Sequence, residues 1–190
     1  MKYDTHIMLD LETMDAESNK SAIVSIGAVE FDFKTGYVNN IFYKKIDLRS
    51  SLDMGFIISP ETIYWWLQQN EPARLELVSK ENVYPISKVL QDFSDYINSF
   101  NNPYIWGNGI SFDISKISAA FHICNIPIPW NFRNERDVRT LVSLAPNIKE
   151  STEFIGIEHH PVHDCLHQIK YCVEIYNKLN LTNPHHENII

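Results

Sequence analysis

At 190 residues the chain has the length of one domain, taking about 150 residues per domain, which argues against a repeat array or a multidomain machine. Apolar residues make up 44% of it and aromatics 12%, enough for a sizeable core and more than a disordered chain offers. Sixteen Lys and Arg against 24 Asp and Glu leave a net charge of −8, which disfavours phosphate binding over the whole surface but not in a local groove or through a bound metal.

Apolar residues cluster in Ile7 to Leu11, Ile23 to Phe33 and Val38 to Ile46, with a Lys34-Thr35-Gly36 turn between the last two. Three strands are predicted, two of them a hairpin. Pro60 follows Ser59 as a first-turn proline follows an N-cap, and Ile63, Trp66 and Leu67 recur at helical spacing, giving a helix over 60–69. Pro85 starts another, with Ile86, Val89, Leu90, Phe93 and Ile97 as its apolar stripe. Tyr104 to Trp106 reads as a short buried strand, and Ser111 opens a helix through Cys124. A proline-punctuated loop covers 125–134 and a helix 137–144. The last strong helix runs from His163 to Leu179, with Leu166, Ile169, Val173, Tyr176 and Leu179 on one face, and 181–190 reads as a loose tail. Strands first and interleaved helices later make a mixed α/β domain over 1–180.

Cys124, Cys165 and Cys172 contain no C-x-x-C pair, against both a disulfide framework and a zinc knuckle. Acids interrupt the N-terminal apolar stretch and no run is long enough to span a bilayer, so a soluble cytoplasmic protein without a membrane partner is expected.

Asp10 and Glu12 lie two apart at the end of the first predicted strand, so their carboxylates share a face and repel each other. Such a pair needs protons, hydrogen bonds or a cation, and hard divalent ions favour carboxylate oxygen. Asp113 lies in a first helical turn after a short strand and two glycines, and Asp164 opens the final helix five residues after His159. Singly, Asp113 and Asp164 read as helix caps. Together, four carboxylates and a histidine match the needs of two-metal phosphodiester hydrolysis.

At these residues the sequence resembles the DEDDh group of 3'-5' exonucleases. That group's D-x-E, F-D and H-x4-D motifs correspond to Asp10-Leu11-Glu12-Thr13, Phe112-Asp113, and His159 with Asp164. It is most similar to a small phage and bacterial exoribonuclease-like branch, through WGNGISFD and Arg136-Asp137-Val138-Arg139-Thr140, over roughly 5–178. The resemblance implies an RNase H-like fold, a central five-stranded mixed sheet flanked by helices. It also implies two Mg2+ or Mn2+ ions, held by Asp10, Glu12, Asp113 and Asp164, with His159 as general base. The implied product is a nucleoside 5'-monophosphate released from single-stranded RNA or DNA 3' ends, with RNA slightly favoured. A homodimer, common among members, stays open as a partner. His160 is the runner-up for the base, and Asp137 falls where members carry a structural aspartate. Many members place an asparagine four residues before the motif aspartate; here Asn108 precedes Asp113 by five.

Leu11, Thr13 and Met14 flank the D-x-E carboxylates and Phe112 adjoins Asp113, so these four are expected nearest the terminal nucleotide. Trp65, Trp66, Trp106 and Trp130 are read mainly as core, with base stacking as the alternative and one of Trp65 and Trp66 facing inward. Arg133, Arg136 and Arg139, or Lys44, Lys45 and Arg49, either contact phosphate or form solvated, paired faces. Zinc on His163 and His167 is a weaker alternative, because Pro161 interrupts the register. A catalytically silent nucleic-acid-binding module on the same fold is the competing reading of function. An aspartyl-phosphate enzyme ranks below it, since Glu12 stands where such enzymes carry a second aspartate.

Overall fold

The computed structural model describes residues 5–181. Strands β1 (His6–Thr13), β2 (Ile23–Phe31) and β3 (Val38–Ile46) form an antiparallel meander. Helices α1 (Leu48–Asp53), α2 (Pro60–Gln68) and α3 (Glu71–Val78) follow, then β4 (Val83–Tyr84) and α4 (Ile86–Asn98). Strand β5 (Tyr104–Gly107) leads through a π-helical turn, Ile110–Ile114, into α5 (Ser115–Ile123). The chain closes with β6 (Glu135–Asp137), α6 (Val138–Ser143), α7 (Pro146–Ser151) and α8 (Pro161–Leu181).

The sheet order is β4-β3-β2-β1-β5-β6, with β5 parallel to β1, β6 parallel to β5 and β4 parallel to β3. It has six strands where five were expected. The two-residue β4 and the polar three-residue β6 are too short to show a period-2 pattern, and both sit at the edges. For the same reason α1, α3 and α7, of six to eight residues, were not anticipated. Strand β1 runs to Thr13 because polar Asp10 and Glu12 keep the alternation that the apolar run began.

Alternation along β1 sorts its side chains into two cores. Ile7, Leu9 and Leu11 pack with Val89, Leu90 and Phe93 of α4 and Phe121 of α5. Met8, on the other face, joins Val29, Trp106 and the α8 residues Cys165, Ile169 and Cys172. Helix α8 begins two residues earlier than expected, at Pro161, and buries Tyr171 and Ile175 as well, so its inner face is wider than the predicted stripe. The tail assigned to 181–190 falls, from 182 onward, outside the described residues. Among the described residues no helix is long and apolar enough to cross a membrane.

Candidate active site

The alternation that buries Met8 puts Asp10 and Glu12 on the same face, toward α8. Helix α8 reaches them because β2 offers Gly27, the partner of Asp10, beneath its first turn. A Cβ on Gly27 would lie 2.6 Å from the Pro161 carbonyl carbon and 2.8 Å from the Val162 nitrogen. That seat brings Asp164 in, so that ligand oxygens of Asp10, Glu12 and Asp164 lie within 4.8 Å of one another. One turn along α8, Gln168 donates Nε2–H to Asp10 Oδ1 at 2.8 Å.

Asp113, only 2% exposed, comes from the π-helical turn, and its Oδ1 accepts the Leu11 backbone N–H at 3.2 Å. It stands beside the trio rather than within it. Asp113 lies inside this turn, Ile110–Ile114, and its N–H bonds the Gly109 carbonyl at 3.1 Å. Asp137 has a structural part: its Oδ2 accepts from Ile110 N at 2.9 Å, holding the turn's entry, while its Oδ1 caps α6 through Thr140 N at 2.7 Å.

Burial raises the pKa of all four carboxyls. For Asp10 the repulsion of Asp113 and Asp164 adds to it, and for Glu12 that of Asp10, Asp164 and Asp113. Asp113 is pushed up to about 7 by burial, against hydrogen bonds from Leu11 and Asn108 and the positive charge of Arg139. Asp164 rises to about 6 through burial. Asp164 Oδ2 and Gln168 Oε1 are buried, and neither has a hydrogen-bond partner among the described residues. A buried carboxylate oxygen left without a donor is costly, and oxygen ligands this close suit a hard divalent cation. The donor set therefore fits a divalent metal.

Above the acids opens a cavity of about 480 Å3. Leu11, Thr13 and Phe112 line it, as does His159, while α2 contributes Glu61, Thr62 and Trp65. Met14, expected beside them, lies in the core at 6% exposure. The pairing of β1 with β2 shifts register after Glu12, and Met14 N bonds Ala22 O at 2.9 Å, which draws its side chain inward. Trp66 is the inward-facing member of the tryptophan pair, with Nε1 donating to Thr13 O, and Trp65 stands at the cavity.

His159 adopts the left-handed conformation, φ 62°, uncommon for a residue with a Cβ. Its ring meets Trp65 edge-on at 4.8 Å, and burial lowers its pKa. His160 turns away from the cavity, packing on Tyr43 at 4.6 Å and stacking on His163 at 4.2 Å. His163 Nδ1 accepts from Ile157 N, and His167 packs on Phe154 and Tyr171. Among the described residues no histidine belongs to a group that could hold a metal.

Of the basic clusters, Lys44, Lys45 and Arg49 pair with Asp92, Glu76 and Asp53. Arg133 and Arg136 cover the rings of Phe132 and Tyr104. Arg139 lies against Gly109 beside the π turn, near enough to act on Asp113. Gln168, Ala16, Glu61 and Thr62 were not anticipated at the site. The signal for Gln168 was its place one helical turn after Asp164.

The model of the 3'-5' exoribonuclease Rv2179c-like domain matches residues 5–176. The chain belongs to this family. As a Rv2179c-like protein it is a 3'-5' exonuclease, a phosphodiester hydrolase by family. An exodeoxyribonuclease of Enterobacteria phage T4 is 26% identical over 197 residues, covering 85% of each chain. Among solved structures, the nuclease domain of 3'hExo, a DEDDh family member bound to rAMP, matches with TM-score 0.62 and 13% identity over 93% of both chains. E. coli exonuclease I in complex with single-stranded DNA matches with TM-score 0.63 and 14% identity over 97% of this chain, which spans 42% of that one. At such identities these two structures establish the RNase H-like exonuclease fold of the Rv2179c-like chain.

Proposed function

We propose that this protein hydrolyses the last phosphodiester bond at the 3' end of single-stranded nucleic acid, RNA in preference to DNA, and releases nucleoside 5'-monophosphates. The observation that carries the reading is an acidic trio within 4.8 Å at the base of a cavity of about 480 Å3, with His159 and aromatic side chains in its lining. Asp10, Glu12 and Asp164, with Asp113 beside them, hold two divalent ions, Mg2+ or Mn2+. When bound, such ions stabilise the charge on the attacking and leaving oxygens.

The remaining chemistry belongs to the chain. Gln168 fixes one oxygen of Asp10, and the Leu11 N–H fixes one of Asp113, leaving the other oxygens for ligation. His159 is the general base. Burial lowers its pKa and so favours the neutral imidazole, which can take a proton from water. The water oxygen bonds to phosphorus as the bond to the penultimate 3'-oxygen breaks. That oxygen takes a proton from solvent, His159 returns the proton it took from water to solvent, and the terminal nucleotide departs as its 5'-monophosphate. Leu11, Thr13 and Phe112 flank the terminal nucleoside.

A time course on matched, 5'-labelled single-stranded RNA and DNA with Mg2+, Mn2+ or chelator tests this, beside Asp10→Ala. One-nucleotide ladders from the 3' end, dependent on metal, absent in the variant and faster on RNA, are expected. Cuts in a circular substrate, or binding without product, would refute it.

A further inference from the structure

Lys116 is 1% exposed, an unusual place for an ammonium group. It is the second residue of α5, immediately past the π-helical turn that presents Phe112 and Asp113. Its Nζ donates to the backbone carbonyls of Asp15 at 3.0 Å and Ser18 at 2.6 Å, and lies 4.7 Å from the centroid of the Phe112 ring. The loop it holds is itself tightly wound. Asp15 Oδ1 accepts from Glu17 N at 2.8 Å and Ser18 N at 2.9 Å, which turns the two carbonyls toward one point.

Both things that Lys116 grips reach the cavity. Ala16, inside the clamped loop, and Phe112, under whose ring the ammonium sits, belong to its lining. They come from chain segments about 100 residues apart. The Asp15 and Ser18 carbonyls turned toward Lys116 belong to the loop that follows β1. A cation satisfying two carbonyls and an aromatic face fixes a loop and a ring that would otherwise be ordered only when substrate arrives.

We propose that Lys116 is a positioning residue that locks Phe112 and the Asp15–Ser18 loop into one preformed wall for the terminal nucleoside. The proposal rests on the exonuclease reading. Its effect falls on substrate binding, because Lys116 makes no hydrogen bond or ring contact with Asp10, Glu12, Asp164 or His159 among the described residues, and acts on Asp113 only through its charge. Ordering one ring and one short loop on binding weakens affinity by roughly ten-fold.

The test is Lys116→Met, which keeps the length and removes the charge, assayed with Phe112→Leu and the double variant on a single-stranded oligonucleotide. Lys116→Met is expected to raise KM roughly ten-fold with kcat within about two-fold, and the double variant to lose less than the product of the two single losses, since the ring contact is shared while the loop is held by Lys116 alone. An unshifted KM in an active variant, or losses that multiply in the double variant, overturns the proposal. A wild-type protein that makes no 3' ladder overturns the exonuclease reading instead, and this one with it. If Lys116→Met does not fold, the side-chain ammonium of wild-type Lys116 is followed by 15N NMR. A slowly exchanging resonance already present before nucleotide is added supports the role, and one that slows only on adding a nucleoside 5'-monophosphate with Mg2+ refutes it.

Discussion

Gly27→Ala tests whether the seat of α8 on β2 sets the metal site. The added Cβ would meet Pro161 C at 2.6 Å, Pro161 Cβ at 2.8 Å and Val162 N at 2.8 Å. Carbon contacts are comfortable at about 3.5–4.0 Å, so the first turn of α8 must retreat by about 1 Å. Those atoms are backbone or proline ring and cannot rotate aside. Overpacking of this kind costs about 1–3 kcal/mol, offset by the ~0.5–1 kcal/mol that a strand gains when glycine becomes alanine. The melting temperature should therefore fall by only a few degrees for a chain of this size. Catalysis should fall much further, because the retreating turn carries Asp164 away from Asp10 and Glu12 and draws Gln168 off its 2.8 Å bond to Asp10. A misplacement of about 1 Å costs on the order of 100-fold in rate. The assay is kcat for 3' ladder formation at saturating Mg2+, beside a thermal melt. A variant that melts lower yet turns over as fast as wild type would show that the α8 seat does not govern the site.

Removing metal should make stability depend on pH in a set direction. Burial raises the Asp164 and Asp113 pKa values to about 6 and about 7 in the folded chain, so their folded forms hold protons more tightly than the unfolded ones. Their contribution is complete below the ordinary carboxylate range near pH 4 and is lost as pH climbs through 6 and 7. Melts in chelator should thus fall from pH 5 to pH 8, and Mg2+ or Mn2+ should restore the loss at pH 8; a melt that rises over that span contradicts the picture. His159→Ala should lower kcat by roughly 100-fold or more while the stabilisation by metal stays at the wild-type value, measured by the same melts. Arg139→Ala should raise KM on oligonucleotides and flatten the dependence of log KM on log salt by about one unit. An unchanged slope would remove Arg139 from the phosphate path.

The part of the site that sequence revealed is the part fixed by period. Asp10 and Glu12 two apart on a strand must share a face, and they do, with Met8 marking that face by its place in the α8 core. Asp164 at the start of an amphipathic helix and Phe112-Asp113 after β5 were equally readable, because each sits where a regular element begins. Met14, expected at the nucleotide from its adjacency to the acids, is buried and not among the residues lining the cavity. Being next to the acids in sequence matters less than the register shift after Glu12, which turns the chain toward Ala22. Short elements escaped for a related reason: two or three residues in β4 or β6 cannot display a repeat, and their pairing is decided by what lies across the sheet.

What period cannot show is which distant residues stabilise a local arrangement. The π-helical turn illustrates this: nothing in Ile110–Ile114 alone favours it over an α turn, but Asp137 holds its first N–H, Lys116 lies beneath its phenylalanine and Leu11 binds its aspartate. Each of these contacts joins segments that are far apart in the chain, apart from that of Lys116 with Phe112. The acidic centre is built likewise, from β1, the turn after β5 and a helix more than 150 residues after Asp10. Burying four carboxyls, with Asp10 and Glu12 further raised by their neighbours' charge, gains nothing in the metal-free chain, as their raised pKa values record. The surrounding core therefore bears the cost of assembling them, through the seat of α8 on Gly27 and the two apolar layers either side of β1. A site that strains the fold until a cation arrives is explained by its chemistry and not by its stability.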